Sequence, residues 1–332
     1  MTTFSFTQCV TVLFEGAPAS QDIEAALERW PLAGHAKEEQ GEDGWALSAG
    51  GWVYDAPGGG YVAVDVVSRP WPDDPAAAAA SRGLSAAWSR GAFGPAATPG
   101  ALARAIDQPW LWPEGAAEAK RHQAFVRFRT GFVAPEPGPP EAAETPKRDP
   151  VYELSLLTEI AQPVLQKKGA GAFFVPAGEA LRSRKQVDAA LGRRVGSGPP
   201  PFELWSNVRS VALSRDEAAT WLAIDVVGMA QFGLPDVEAI FAEGKEEPEA
   251  VEQLIRNACL HLVSGRPIAP GSTSDDGAGR RWEASHGAAL VTPRRPVVRW
   301  LPSASPRPSK ATFTKIAALS STARTGSGPG NG

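Results

Sequence analysis

Two stretches of the chain alternate apolar and polar positions and end in the same seven-residue pattern, YVAVDVV at 61–67 and WLAIDVV at 221–227. An alternating run precedes each across a short turn. WALSAGGWVYD leads into a Gly-rich APGGG, and PFELWSNVRSVALS leads into a polar RDEA. Period-two alternation broken by such turns predicts an antiparallel hairpin in each place. WALS at 45–48 stands before the first copy as VALS at 211–214 stands before the second, which extends the likeness between the two hairpins.

Helical spacing appears between these runs. Ser20 can cap a helix in which Ile23, Ala26, Leu27 and Trp30 recur before Pro31 stops it. DPAAAAASRGLSAAWSRGAF reads as helix with Pro75 near its first turn, and VYELSLLTEIAQPVLQKKG as a helix that Pro163 should kink or break. Thr11–Phe14 and HQAFVRFRTGFV read as strands, and AGAFFVPAGEALRSRKQVDAALG as a short buried strand followed by a helix. The resulting expectation is an α+β fold of two related halves, each a mainly antiparallel sheet with helices packed on one face. The halves are residues 1–133 and 151–301. APEPGPPEAAETPKRDP at 134–150 has no large apolar side chain and reads as a linker, and residues 302–332 read as a disordered tail ending in TARTGSGPGNG.

At 332 residues and 43% apolar content the chain can bury a core in each half. No run reaches the roughly 18 apolar residues of a membrane span, and MTTFSFTQCVTVLFEG lacks a basic start and a cleavage site. With only Cys9 and Cys259 there is no disulfide framework or Cys-x-x-Cys motif. A cytoplasmic setting is the expectation. Net charge is −4, but residues 266–332 hold ten basic and three acidic side chains. Arg280, Arg281, Arg294, Arg295 and Arg299 therefore raise contact with nucleic acid, although the sparse aromatic interleaving favours a solvated segment.

Recognisable reaction motifs do not turn up: no phosphate loop, nucleophile elbow, His-Glu-x-x-His or dinucleotide fingerprint. His35, His122, His261 and His286 fall outside metal-ligand spacing of one another. His286 follows Glu283 and would join Asp275 and Asp276 if the chain folds back there. Asp65 and Asp225 sit inside apolar strands. On a one-sided sheet they face water, which is the favoured parity; on a sheet covered twice they need a partner such as Arg127, Arg129 or Arg209. Trp71, Trp110 and Trp112 lie in Trp-Pro loops at 69–75 and 108–113, either as sheet-end caps or as contact aromatics.

After the second hairpin comes GMAQFGLPDVEAIF at 228–241, then a helix, EPEAVEQLIRNACLHLVSG, then PGSTSDD. In Gly228, Met229, Phe232, Gly233, Glu238, Gly271 and Thr273 the chain resembles a bacterial family, domain-of-unknown-function family 4261. That resemblance implies a fold and a bacterial setting and carries no reaction. Read from the residues alone, Gly228 and Gly233 permit a sharp corner, which Met229 and Phe232 can fill.

The functional expectation is a non-catalytic protein-binding or accessory module, of an immunity or secretion-associated kind, with no cofactor or metal. Its contact residues would be Met229, Phe232, Glu238, Trp71, Trp110 and Trp112, with Gly228, Gly233, Gly271 and Thr273 shaping turns. The alternative is an enzyme or small-molecule binder whose site lies between the 228–241 block, Asp225 and the 271–286 loop. Convergence of Asp225, Glu238 and His286 would mark it.

Overall fold

A computed structural model describes residues 4–36, 51–56, 60–109, 111–133, 148–193, 200–216, 219–304, 306–309 and 311–314. The chain is α+β and divides into two compact units, Met1–Asn207 and Val208–Gly332.

The first unit runs β1 (Phe4–Phe14), α1 (Ser20–Leu27), β2 (Leu32–Ala36), β3 (Gly51–Asp55), β4 (Tyr61–Val67), α2 (Pro75–Ala80), α3 (Arg82–Ser89) and α4 (Ala101–Asp107). It continues with α5 (Gly115–Lys120), β5 (Ala124–Val133), α6 (Pro150–Leu165), β6 (Ala170–Val175), β7 (Ala180–Arg182), α7 (Arg184–Arg193) and α8 (Phe202–Trp205). Its sheet has the order β2-β3-β4-β5-β1-β6-β7, with every neighbouring pair antiparallel. Alternation puts Leu13, Phe125, Val67 and Phe174 on one face, where Leu84, Ala87, Leu102 and Ala119 of α3–α5 pack on them. Helix α6 packs against β1, β5 and β6 and takes the other face. Helices thus cover both faces of this sheet rather than the single face expected.

Pro163 does not break α6, which is continuous from Pro150 to Leu165. The carbonyl that its missing N–H leaves free, that of Glu159, accepts a hydrogen bond from Arg29 Nη2 at 3.3 Å. Asp149 caps the start of the helix by accepting from Val151 N and Tyr152 N, at 3.1 and 3.0 Å. Ser20, expected as a cap, is instead the first residue of α1, after Ala19.

The second unit runs β8 (Asn207–Arg215, its first residue shared with the boundary), β9 (Thr220–Val227), β10 (Asp236–Ala242), α9 (Pro248–Val263), β11 (Thr273–Asp275), β12 (Arg281–Ala288) and β13 (Pro296–Pro302). Strand order is β11-β12-β13-β10-β9-β8, with β10 and β13 parallel and the β9–β10, β12–β13 and β11–β12 pairs antiparallel. One face buries Ile224, Phe241, Trp282 and Trp300 against Val251, Ile255 and Leu262 of α9. The other gathers Trp221, Ala223, Ile240 and Ala242 with Leu290, Leu301 and Phe313.

Two expectations about organisation give way. The second half was expected to start at residue 151, yet β6 pairs with β1 and β7 with β6, so everything to Asn207 belongs to the first unit. Strand pairing outranks the Pro-rich composition of 134–150, of which 134–147 lies outside the described residues. The tail expected from residue 302 is placed at Ser309 and Ala311–Thr314, where Phe313 joins the apolar face just described. Residues 315–332 lie outside the described residues.

Candidate functional site

The Gly-Met-x-x-Phe-Gly block is a corner clamped by a carboxylate. Gly228 (φ 128°) and Gly233 (φ 72°) bracket a short 3-10 turn at Met229–Phe232, backbone angles that a side chain resists. Asp236 Oδ1 accepts from the N–H groups of Gly228 and Met229 at 3.1 and 2.6 Å, and Gln231 Nε2 donates to Gly228 O at 2.7 Å. Met229 is wholly buried in the core under α9, and Phe232 packs at its edge. Met229 therefore fills space inside the core and offers no outward contact.

Asp236 also begins the ionic network on the opposite face. Register places Asp225 of β9 beside Glu238 of β10, Glu238 beside Arg299 of β13, and Arg299 beside Ser285 of β12, in a row across the sheet. Arg209 grips Asp225 with two parallel bonds, Nε to Oδ1 at 3.0 Å and Nη2 to Oδ2 at 2.6 Å. Arg295 bridges Asp225, at 2.5 Å, and Asp236. Arg299 Nε donates to Glu238 Oε1 at 2.6 Å.

The same arginines hold down the connection between β12 and β13. Arg209 Nη1 donates to Thr292 O at 2.9 Å, Arg295 Nη1 to Val291 O and Pro293 O at 3.0 and 2.8 Å, and Arg299 Nη2 to Ala288 O at 2.7 Å. Leu290 N–H reaches Glu238 Oε2 at 3.2 Å. Gly287 leaves the room Arg299 needs, since a Cβ there would stand 3.2 Å from its Nη1. Residues 288–295 therefore form a strap over the row of charges.

Burial drives each carboxyl upward, and the arginines decide the outcome. For Asp225, Arg209 and Arg295 outweigh desolvation and hold it below the ordinary carboxylate value. For Asp236 and Glu238, desolvation prevails over Arg295 and Arg299 respectively, and both sit above it.

The favoured parity for Asp65 and Asp225 is overturned, because both are buried and paired with the arginines the other parity required. Arg127 Nε donates to Asp65 Oδ1 at 3.1 Å, its Nη2 to Oδ2, and Arg129 lies 3.3 Å from Oδ2. Both sheets are covered twice, so a water-facing position was not on offer.

Other expected contact residues disperse. Trp71 is core, 4% exposed, with Phe93, Phe125 and Phe174 edge-on at 5.2 Å. Burying such a side chain stabilises by about 2–3 kcal/mol, more than an exposed loop aromatic would contribute. Trp112 packs on Gly115, where a Cβ would meet its ring at 2.5 Å; Trp110 lies outside the described residues. Glu238 is fully buried, so it too leaves the list of outward contacts. Gly271 (φ 82°) turns the chain into β11, and Thr273 Oγ1 accepts from Arg281 at 2.9 Å.

His286 does not join Asp225 and Glu238: its Nε2 lies 2.7 Å from Ile268 O. Asp276 instead shapes the β11–β12 turn, accepting from Ala278 N, Arg280 N and Trp282 Nε1. Among the described residues no group of three His, Cys, Asp or Glu could hold a metal, and no helix is long and apolar enough to cross a membrane. Burial pushes the Cys9 thiol up to about 11 and raises Cys259 as well, which keeps both protonated.

Sequence reasoning missed Asp236 and the Asp216–Thr312 contact, and it read Arg295 for nucleic acid where the structure ties it to Asp225 and Asp236. Only Phe313, a lone aromatic in a Ser- and Pro-rich stretch, carried a signal. What fold and site define together is a two-unit α+β protein whose second sheet is locked under an arginine-tied strap. Residues 225–301, which carry the corner, the network and the strap, match the family model described as Domain of unknown function (DUF4261), as the resemblance at Gly228–Gly233 implied. No curated protein and no solved structure matches the chain.

Proposed function

We propose that the protein is a non-catalytic module that works by holding a segment of another protein. One observation carries this reading. The second sheet already receives a short polypeptide segment on its apolar face, where Phe313 packs with Trp221, Ile240 and Leu301 and Thr312 Oγ1 donates to Asp216 Oδ2 at 2.7 Å. The network supports it further: the carboxylates that a reaction would need are spent on arginines and backbone N–H groups beneath the strap.

An accessory or immunity role in a bacterial cytoplasm suits such a module. Descent of the two units from one ancestor is part of the same proposal, supported by Asp65 and Asp225 standing at matching places in their strands. Nucleic-acid binding draws less support, since Arg295 and Arg299 serve the network and Arg280 pairs with Glu246.

The enzyme reading keeps one favourable observation, the side-by-side placement of Asp225 and Glu238, and lacks His286. Purification from source cells followed by native mass spectrometry separates the two. A stoichiometric protein partner supports the module; a monomer carrying a small molecule sinks it in favour of a small-molecule site.

A further inference from the structure

Residues 303–304, 306–309 and 311–314 combine two chemistries. Pro302, Pro306 and Pro308 make the approach stiff and extended. Ser309 then opens a single helical turn: its Oγ accepts from Thr312 N at 3.0 Å and lies 2.8 Å from Thr312 Oγ1, while its carbonyl accepts from Phe313 N at 3.0 Å. That turn aims Phe313 into the cluster of Trp221, Ile240 and Leu301, beneath the guanidinium of Arg299 at 5.4 Å. It also aims Thr312 at Asp216, whose carboxylate simultaneously accepts from Trp221 Nε1 at 2.7 Å and Ala219 N at 3.0 Å. Upstream, Arg307 pairs with Glu283 at 2.9 Å. The receiving surface is thus acidic at two points round an apolar centre, and the segment brings a basic residue, a hydroxyl and one aromatic ring to match.

A segment held by one ring and a few polar contacts, between prolines and a Gly- and Ser-rich end, is among the least stable parts of a fold. It stays seated because its tether keeps it at high effective concentration. We propose that the Trp221–Ile240–Leu301 face, with Asp216 and Glu283 at its rim, is a peptide-docking surface occupied at rest by the chain's own Ser309 and Ala311–Thr314. The protein partner, on the reading given above, docks a segment of the same chemistry there: a basic residue, then a hydroxyl residue directly followed by an aromatic. Access then requires that the resident segment leave.

The test uses a fluorescent synthetic peptide of residues 303–318 and three proteins: the full chain, full-length Phe313→Ala, and a chain ending at Pro302. Both altered proteins should bind the peptide at least tenfold more tightly than the full chain. A peptide with alanine at 312 and 313 should lose at least tenfold on them. Equal binding by all three, or no binding by altered proteins whose circular dichroism matches the full chain, overturns the proposal. So does a full chain that runs as a dimer and is made monomeric by Phe313→Ala, because the occupant is then a second copy. Peptide binding without any protein retained from source-cell extract by the shortened chain leaves the resident contact standing and removes the partner, and with it the binding function. A partner retained equally by full and shortened chains keeps that function and moves its site elsewhere.

Discussion

Asp65 and Asp225 occupy matching places in YVAVDVV and WLAIDVV, yet the two sheets neutralise them by different means. In the first unit the cations come from the neighbouring strand: Arg127 is the register partner of Asp65 and Arg129 that of Ala63. Each guanidinium also rests on an aromatic ring, Arg127 over Phe93 at 5.3 Å and Arg129 over Phe6 at 4.1 Å, and Arg127 donates to Ala92 O at 3.2 Å. In the second unit one neighbouring strand, β10, presents Glu238, another acid, and the cations arrive from the other neighbour, β8, and from the strap. A buried mid-strand aspartate is thus given a cation by an adjacent strand in both sheets, and the strap adds a second one only in the second unit.

The contrast sets an order of expected losses. Asp225→Asn leaves Arg209 and Arg295 facing each other across a buried site without their shared anion, at a cost of about 4 kcal/mol. It should also free the strap, so urea unfolding and hydrogen exchange of residues 288–295 should change together. Asp65→Asn should cost less, about 2–3 kcal/mol, because ring faces and a carbonyl still receive its arginines. Equal losses, or the reverse order, would show that the aromatic cover is immaterial.

A third substitution probes packing beside the first aspartate. Gly51 of β3 stands opposite Asp65, and a Cβ on it would lie 2.0 Å from the carbonyl oxygen of Val64. Gly51→Ala must push the hairpin apart and should cost about 2 kcal/mol. A neutral result by thermal unfolding would mean that β3 shifts freely and that the first network does not depend on a close hairpin.

Much of this was legible in the chain. The hairpins and β5 announced themselves through period-two alternation, the helix after the 228–241 block was expected where α9 stands, and the glycines of 228–233 marked a corner. The parity of the aspartates was not, because alternation round an acid looks the same whether the second face meets water or a loop. In the second unit that cover is the strap and Phe313, neither of which has a period to detect. The unit boundary was hidden for a related reason: β6 joins a sheet whose strand β1 lies far back in the sequence, and long-range pairing leaves no local mark. Aromatic content misled in one place, since Trp71 in its Trp-Pro loop reads as a contact and packs as core.

The smallest predicted effect asks whether acid distinguishes the two units. His122 Nε2 accepts from Trp71 N at 2.8 Å and its Nδ1 lies 2.5 Å from Ala119 O, so the ring is neutral and carries its proton on Nδ1. Burial lowers its pKa below 6.5, against smaller upward pulls from Ala119 O and Asp73. A folded value below the unfolded one means that the unfolded chain takes up the proton first as pH falls. The stability His122 confers is complete above 6.5 and is lost as pH drops through its folded value. Asp236 and Glu238 carry the opposite sign: raised in the fold, they favour it on the acid side and lose that contribution as pH rises through their folded values. Asp225, held low, gives up its share only at more acid pH. Between neutral pH and the upper carboxylate range, protection from hydrogen exchange, taken relative to the intrinsic rate at each pH, should therefore fall round Trp71 while the second sheet keeps its own, and His122→Gln should flatten that slope. Equal loss of protection in both units would locate the acid response outside His122, in charges common to the whole chain.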